Sequence, residues 1–345
     1  MPRLRTFALA IALPLAALAG MAALASPEPV ARPARIAMPD IPIRQCLNMG
    51  NALEAPTEGE WGPVITREDI RSIAAHGFDT LRLPVAWQEH LGRDNRIDPA
   101  FLKRVDEVAR WALAEDMNLI VNVHNYWALN EDPAAHIPVL HAIWAQLARH
   151  YADWPDTLMF EIVNEPQDAF IQDLVNRVNA DALAGIRQTN PTRWVVLGGA
   201  AWGTIEPFKA GTDAPFTPAS DPRTIATFHS YTPFEWSHQG ARFIDAPPPV
   251  GRRLNVAKDT RAIREEMRHA SDFRARTGMP IFLGEFGSYR HLPHAERVAH
   301  AEIMRREAEA AGLAWCWFDW QTEFRFADPA TKQALPGLKA ALFAN

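Results

Sequence analysis

Side chains able to move protons or carry charge recur at one place in this sequence, the C-terminal end of short apolar runs. Arg82 lies in TLRLPV, His124 in LIVNVHNYW, and Asn164 and Glu165 in FEIVNEP. His229 and Tyr231 follow in TFHSYTPF, and Glu285 in IFLGEFG. Two of these are carboxylates. A pair of carboxyls on either side of a sugar ring is what glycoside cleavage requires, one protonated to serve the leaving oxygen and one ionised to attack or to activate water. Glu165 is assigned as the general acid/base and Glu285 as the nucleophile, with a carboxyl separation near 5–5.5 Å and a retaining outcome expected. Arg82 and the Tyr231 hydroxyl would favour the ionised partner, and a neighbouring carboxylate would favour protonation of the other. Asn164 could hold a sugar hydroxyl or the nucleophile. Pro166 withdraws the next backbone donor and turns the chain outward.

Each residue alone has a plainer explanation. A single strand-end glutamate is usually solvated, a lone arginine usually a structural ion-pair partner, and a lone histidine or tyrosine usually packing. Their joint recurrence is what points to a catalytic set. Metal hydrolysis is the rival, but the twelve histidines include no His-x-His or His-Glu-x-x-His pair, so no metal is expected.

These ends must be carried by a scaffold. Eight candidate strands occur, at Arg44–Met49, Thr80–Val85, Leu119–His124, Leu158–Val163, Trp194–Leu197, Thr224–Phe228, Ile281–Glu285 and Ala314–Phe318. Helical patterns separate them at Arg67–His76, Ala100–Glu115, Pro138–Tyr151, Phe170–Thr189, Asp259–Thr277 and Ala295–Ala311, with a last one at Leu338–Phe343. The stretch near Gly203–Ala210 is weak. Alternating elements with doubly apolar strands predict a parallel sheet with right-handed crossovers. The count fits a closed (β/α)8 TIM barrel in a single domain, whose active site lies at the strand C-terminal ends. An open doubly wound sheet fits less well, because no Gly-rich nucleotide loop follows the first strand.

Composition sets the bounds. The chain has 345 residues, 48% hydrophobic and 22% charged, with a net charge of −6. No basic run is long enough to track a phosphate backbone, so nucleic acid is excluded as a partner. Residues 1–25 carry Arg3 and Arg5, an Ala/Leu-rich run and Ala23-Leu24-Ala25, the pattern of a cleaved signal peptide. An uncleaved anchor is the alternative, but the run is short and broken by Pro14. Residues 26–42 are expected to form a flexible linker, and 43–345 the catalytic domain. Cleavage would leave no stable membrane insertion, and a secreted or periplasmic monomer is expected. Cys46 and Cys316 could pair or remain two buried thiols.

The segments CLNMGNALEAPTEGEWG, LRLPVAW, FEIVNEP, FHSYTPFEWSHQGA and GEFGSYR resemble glycoside hydrolase family 5, the cellulase family, and especially its bacterial endoglucanase and mannanase members. The resemblance runs from Cys46 to the C-terminus. It implies a (β/α)8 barrel, a retaining double displacement and no cofactor. It places Glu165 as acid/base, Glu285 as nucleophile and Arg82, His124, Asn164, His229 and Tyr231 in support. Asn51 and Glu54 match a stretch bordering the sugar subsites. Two positions depart from the family pattern. Phe318 stands where the family has a tryptophan flooring the −1 sugar; either binding there is weaker or differently shaped, or neighbouring Trp317 or Trp320 fills the place, and Phe318 and Trp317 are taken as substrate-binding candidates. Asn125 stands where relatives often have a second histidine.

Aromatic rings stack on the CH faces of sugars. Trp61, Trp87, Trp127, Trp202 and Trp236 follow strands and are the candidate platforms, whereas Trp111, Trp144 and Trp154 are assigned to packing. The substrate expected is a β-1,4-linked polysaccharide cut by an endo-acting glucanase. The alternatives are an endo-β-mannanase, an exo-acting or transglycosylating β-glucosidase or β-mannosidase on short oligosaccharides, and a non-catalytic sugar-binding barrel.

Overall fold

A computed structural model describes residues 36–344. Eight parallel strands close a barrel in sequence order: β1 (Gln45–Asn48), β2 (Thr80–Leu83), β3 (Asn118–Asn122), β4 (Leu158–Glu161), β5 (Val195–Gly198), β6 (Thr224–His229), β7 (Ile281–Phe286) and β8 (Trp315–Phe318). Helices α1 (Arg67–His76), α2 (Pro99–Ala114), α3 (Trp127–Glu131), α4 (Pro133–His150) and α5 (Gln172–Arg187) follow the first four strands. After β6 come α6 (Phe234–Ser237) and α7 (Val256–Thr277), then α8 (His294–Ala310) and α9 (Leu338–Phe343). The expected (β/α)8 architecture is the one formed.

Local chemistry explains the boundaries. Thr66 and Asp69 make a reciprocal capping box at α1, and Gly77 (φ 108°) closes that helix in the left-handed region. Asp132 caps α4 and Pro133 takes its first turn, so Pro138 lies inside the helix instead of opening it. After β5 the connection holds only a 3-10 turn, Glu206–Phe208. Phe208 covers that side of the barrel by packing on Phe216 and Phe273, at centroid distances of 4.7 and 5.1 Å.

Strand parity then builds the interior in layers. Cys46, Ile120, Met159, Val196, Ile225, Phe282 and Cys316 point inward as one apolar cluster. Two residues further along, the same inward face presents Asn48, Asn122, Glu161, Gly198, Thr227, Gly284 and Phe318, and Arg82 from β2. A dry floor thus carries a polar storey. Cys46 and Cys316, directly opposed on β1 and β8, form a disulfide with Cα atoms 4.1 Å apart.

The expected leader and the first part of the linker lie outside the described residues. The end of that linker is structural: Ile41 is buried with Ile43 in the apolar cluster, and the Arg44 guanidinium donates to the carbonyls of Pro39, Ile41 and Ile43. An apolar side chain is needed there to stop the open lower end of the barrel.

Gly284 lets β7 approach β6, since a Cβ there would sit 2.3 Å from Thr227 Oγ1 and 3.1 Å from His229 Nε2. Gly284→Ala is therefore expected to cost about 1–3 kcal/mol by overpacking, read as a lowered unfolding midpoint.

Candidate active site

The polar storey converges on one buried cation. Arg82, between Leu81 and Leu83 of β2, is wholly buried. Its Nε and Nη2 donate to the two oxygens of Glu161 at 2.7 and 2.5 Å. Nη2 also donates to Asn164 Oδ1 at 2.8 Å, and Nη1 to Asn48 Oδ1 at 2.7 Å and Glu285 Oε1 at 2.6 Å. A guanidinium has five N–H donors, and this set occupies them all.

Glu285 receives a second donor, the Tyr231 hydroxyl, on Oε2 at 2.7 Å. Both Glu285 oxygens thus accept a donor, one of them from a cation. Burial and the nearby Glu285 and Glu165 charges push the Tyr231 phenol well above its ordinary value, which keeps it a donor.

Glu165 sits directly across the mouth. Its backbone is in the left-handed region (φ 43°), a strained conformation for a non-glycine residue. Its side chain is 23% exposed, against 5% for Glu285, so it opens onto the cleft while Glu285 lies deeper. His229 bridges them: Nδ1 lies 2.7 Å from Glu165 Oε1 and 3.7 Å from Glu285 Oε2. Burial works against charge on His229, but facing Glu285 and the hydrogen bond to Glu165 raise its pKa overall. His124, in contrast, is pushed well below its ordinary value by burial and by Arg82, and its Nδ1 lies 3.1 Å from Asn122 Nδ2. One oxygen of Glu165, one of Glu285 and a nitrogen of His229 lie within 4.8 Å of one another. Such a set could hold a cation on distance alone. Here Nδ1 already faces Glu165 at hydrogen-bond distance and both Glu285 oxygens accept donors, one from a cation, so the arrangement is built to hold protons.

The aromatic candidates divide. Trp61, Trp127 and Trp202 are 43, 50 and 53% exposed, and the rings of Trp127 and Trp202 lie 6.4 Å apart. Ala201 and Trp202 both have positive φ (58° and 60°), which turns Trp202 out beside the cleft. At Gly203 a Cβ would approach Glu165 Cγ to 3.3 Å. Phe318 is half-buried, with its ring against Gly50 and Phe324. Asn125 is half-buried at φ 54°, and its carbonyl accepts the Trp127 N–H at 2.9 Å.

Four expectations are corrected. Trp236 is buried, donating from Nε1 to Glu296 Oε2 at 2.9 Å, so it offers no sugar platform. Trp87 is likewise buried, donating to the Asn122 carbonyl. Trp317 points away from the barrel interior and packs edge-on to Phe286 at 5.3 Å, because strand alternation sends Phe318 inward and its neighbour out. Glu54 does not face a subsite: it is buried, and its two oxygens accept the N–H groups of Asn51 and Ala52. Trp320 is also buried, tied to Asp69, and cannot substitute for the missing indole. Asn51 (φ 60°) donates from its amide to Thr322 Oγ1 at 2.6 Å, and so joins the loops after β1 and β8. Glu161, Asn48 and Asn122 are the site residues that sequence reasoning passed over. The signal for Glu161 was available, a charge inside an apolar strand four residues before Glu165, which requires a buried partner.

The chain matches the profile of the family Cellulase (glycosyl hydrolase family 5) over residues 47–324. It is 30% identical over 274 residues to Endoglucanase H of Acetivibrio thermocellus, a match covering 79% of this chain and 29% of that protein's length. Among solved structures, a hyperthermophilic endo-β-1,4-glucanase in complex with substrate superposes with a TM-score of 0.83 at 34% identity, covering 87% of this chain and 96% of the other. Thermotoga maritima Cel5A, solved with cellobiose, gives 0.83 at 32% identity, covering 88% and 98%. The same protein solved with mannotriose gives a TM-score of 0.82 at 32% identity, with the same coverage.

Burial pushes the Glu54 carboxyl from about 4.5 up to about 7, against the pull of the Asn51, Glu54 and Ala52 N–H groups. The folded state therefore keeps a proton that the unfolded chain releases, and stability should fall as pH rises from about 4.5 to about 7, then level off, by roughly 3 kcal/mol at most. Unfolding midpoints at pH 5 and pH 8 check this: the drop should be smaller in Glu54→Gln than in the wild type.

Proposed function

The chain belongs to glycosyl hydrolase family 5, the cellulase family, and from that membership we propose that it is an exported endo-β-1,4-glucanase acting by retaining double displacement. The observation that carries this is the convergence of Glu165 and Glu285 from the ends of β4 and β7, with an oxygen of each inside a 4.8 Å cluster. Such closeness suits direct attack and leaves too little room for the water of an inverting site.

The two carboxyls have unlike surroundings and so unlike tasks. Glu285, held by Arg82 and Tyr231, presents its ionised oxygen to the anomeric carbon. Glu165, open to the cleft and coupled to His229, protonates the leaving oxygen and then takes a proton from the incoming water. Trp127 and Trp202, in the loops after β3 and β5, offer stacking surface on the acid side of the scissile bond, and Trp61 offers more beyond β1. Phe318 supplies an apolar floor without an indole N–H donor. An extended set of exposed rings fits a polymer bound along a cleft, which favours endo over exo action. β-Mannan is a second reading, favoured by the mannotriose complex of the related Cel5A. Export rests on the leader pattern of residues 1–25; among the described residues no helix is long and apolar enough to cross a membrane.

Soluble β-1,4-glucan and β-mannan, assayed for reducing ends and product length, separate these readings; release of mono- or disaccharide alone from the outset would reject endo action. Glu165→Gln should lower turnover of unactivated substrate by about 10²–10⁴-fold, and Glu285→Gln should abolish it within detection, each with an unchanged unfolding midpoint. Azide should rescue Glu285→Ala and yield a glycosyl azide of inverted configuration. Wild-type rates in either glutamine variant would reject the assigned roles.

A further inference from the structure

Glu161 does not touch the cleft. It is 1% exposed, faces the barrel interior from the last position of β4, and spends both oxygens on Arg82, one of them shared with Asn122 Nδ2 at 3.3 Å. Arg82 therefore sits between two carboxylates, with two hydrogen bonds to Glu161 and one to Glu285. The guanidinium's other hydrogen-bond partners, Asn48 and Asn164, are neutral; nearby His124 is pushed well below its ordinary value by burial, while His229, which burial lowers but Glu285 and Glu165 raise overall, also feels Arg82. His229 at the end of β6 and Tyr231 just beyond it face Glu285, and Glu165 faces His229.

This charge count matters when the covalent bond forms. A Glu285 oxygen bonds to the anomeric carbon while the bond from that carbon to the leaving oxygen breaks. The electron pair stays on the leaving oxygen, which takes the Glu165 proton. Glu285 is now a neutral ester. Were Glu285 the only anion beside it, Arg82 would be left as a buried cation without a counter-charge, at a cost that opposes the step. We propose that Glu161 is a positioning residue that keeps Arg82 neutralised and fixed while Glu285 loses its charge, and thereby lowers the barrier to the glycosyl-enzyme. Glu161 also draws the guanidinium's Nε–Nη2 edge to itself, so Arg82 meets the nucleophile through a single N–H and does not clamp it in a two-pronged pair. This inference rests on the double-displacement reading above.

The test uses a dinitrophenyl β-cellobioside, whose good leaving group makes breakdown of the intermediate limiting in the wild type and gives a burst of dinitrophenolate. Glu161→Gln, which keeps shape and removes charge, is expected to lower kcat/KM by about a hundredfold, raise KM and abolish the burst. Glu161→Asp should recover most of kcat/KM. A merely structural role would instead reduce kcat and burst amplitude together at constant KM, or leave the kinetics unchanged, and either result overturns the proposal. A trapped 2-fluoroglycosyl adduct of the wild type supplies a measurement independent of how the variants fold. Its crystal structure should retain both Arg82–Glu161 hydrogen bonds, and an Arg82 turned away from Glu161 overturns the proposal. A wild type that forms no such adduct refutes the double-displacement reading itself.

Discussion

The arrangement of this molecule depends on keeping one arginine charged and fixed inside a protein. A buried guanidinium is tolerable only when its donors are satisfied and its charge is balanced. Arg82 meets both conditions through partners from β1, β4, the loop after β4, and β7. Those partners are far apart in sequence, so the barrel must close in the right register before any of them can reach it. In turn Arg82 orients Glu285 and holds the side chain of Asn164, the residue before Glu165. Fold and site are therefore one construction around a shared ion.

The layering of the interior makes that construction possible. The apolar storey of Cys46, Ile120, Met159, Val196, Ile225, Phe282 and Cys316 excludes water from below. Ile41 and Ile43 stop the lower end. Electrostatic interactions in the storey above are then strong, because little solvent screens them. Burial works against charge on both His124 and His229, but their charged neighbours differ: Arg82 pushes the first further down, whereas Glu285 and Glu165 raise the second. Two histidines thus shift in opposite directions from position alone, and His229 is the one at hydrogen-bond distance from Glu165.

The cleft shows a second division of labour. Rings that pack and rings that could bind sugar are drawn from the same loops, and burial decides between them. Trp236 and Trp87 each lend an N–H to a buried acceptor and complete the wall. Trp127 and Trp202 remain outside, held by backbone turns of positive φ in residues 125 and 201–202. The Phe318 ring lies so close to Gly50 that a Cβ there would sit 2.5 Å from it.

How much of this was legible beforehand follows from the range of the interactions involved. Strand and helix positions depend on local periodicity, capping and turns, so all eight strands and the long helices stood in the sequence, with Pro138 the misleading boundary. The strand-end residues Arg82, His124, Asn164, Glu165, His229, Tyr231 and Glu285 were visible because parallel strands end on one side, and the structure brings them together. Side-chain direction was not visible near bends and loops: one step along β8 separates inward Phe318 from outward Trp317, and Glu54 looks like a cleft acid until its loop folds over it. Glu161 was missed because its meaning lies in a partner 79 residues away. Sequence alone determined which residues could do chemistry and at which end of the barrel, since both follow from local pattern. Tertiary structure alone decided which of them share a proton, a charge or a wall, because those relations exist only where distant strands meet.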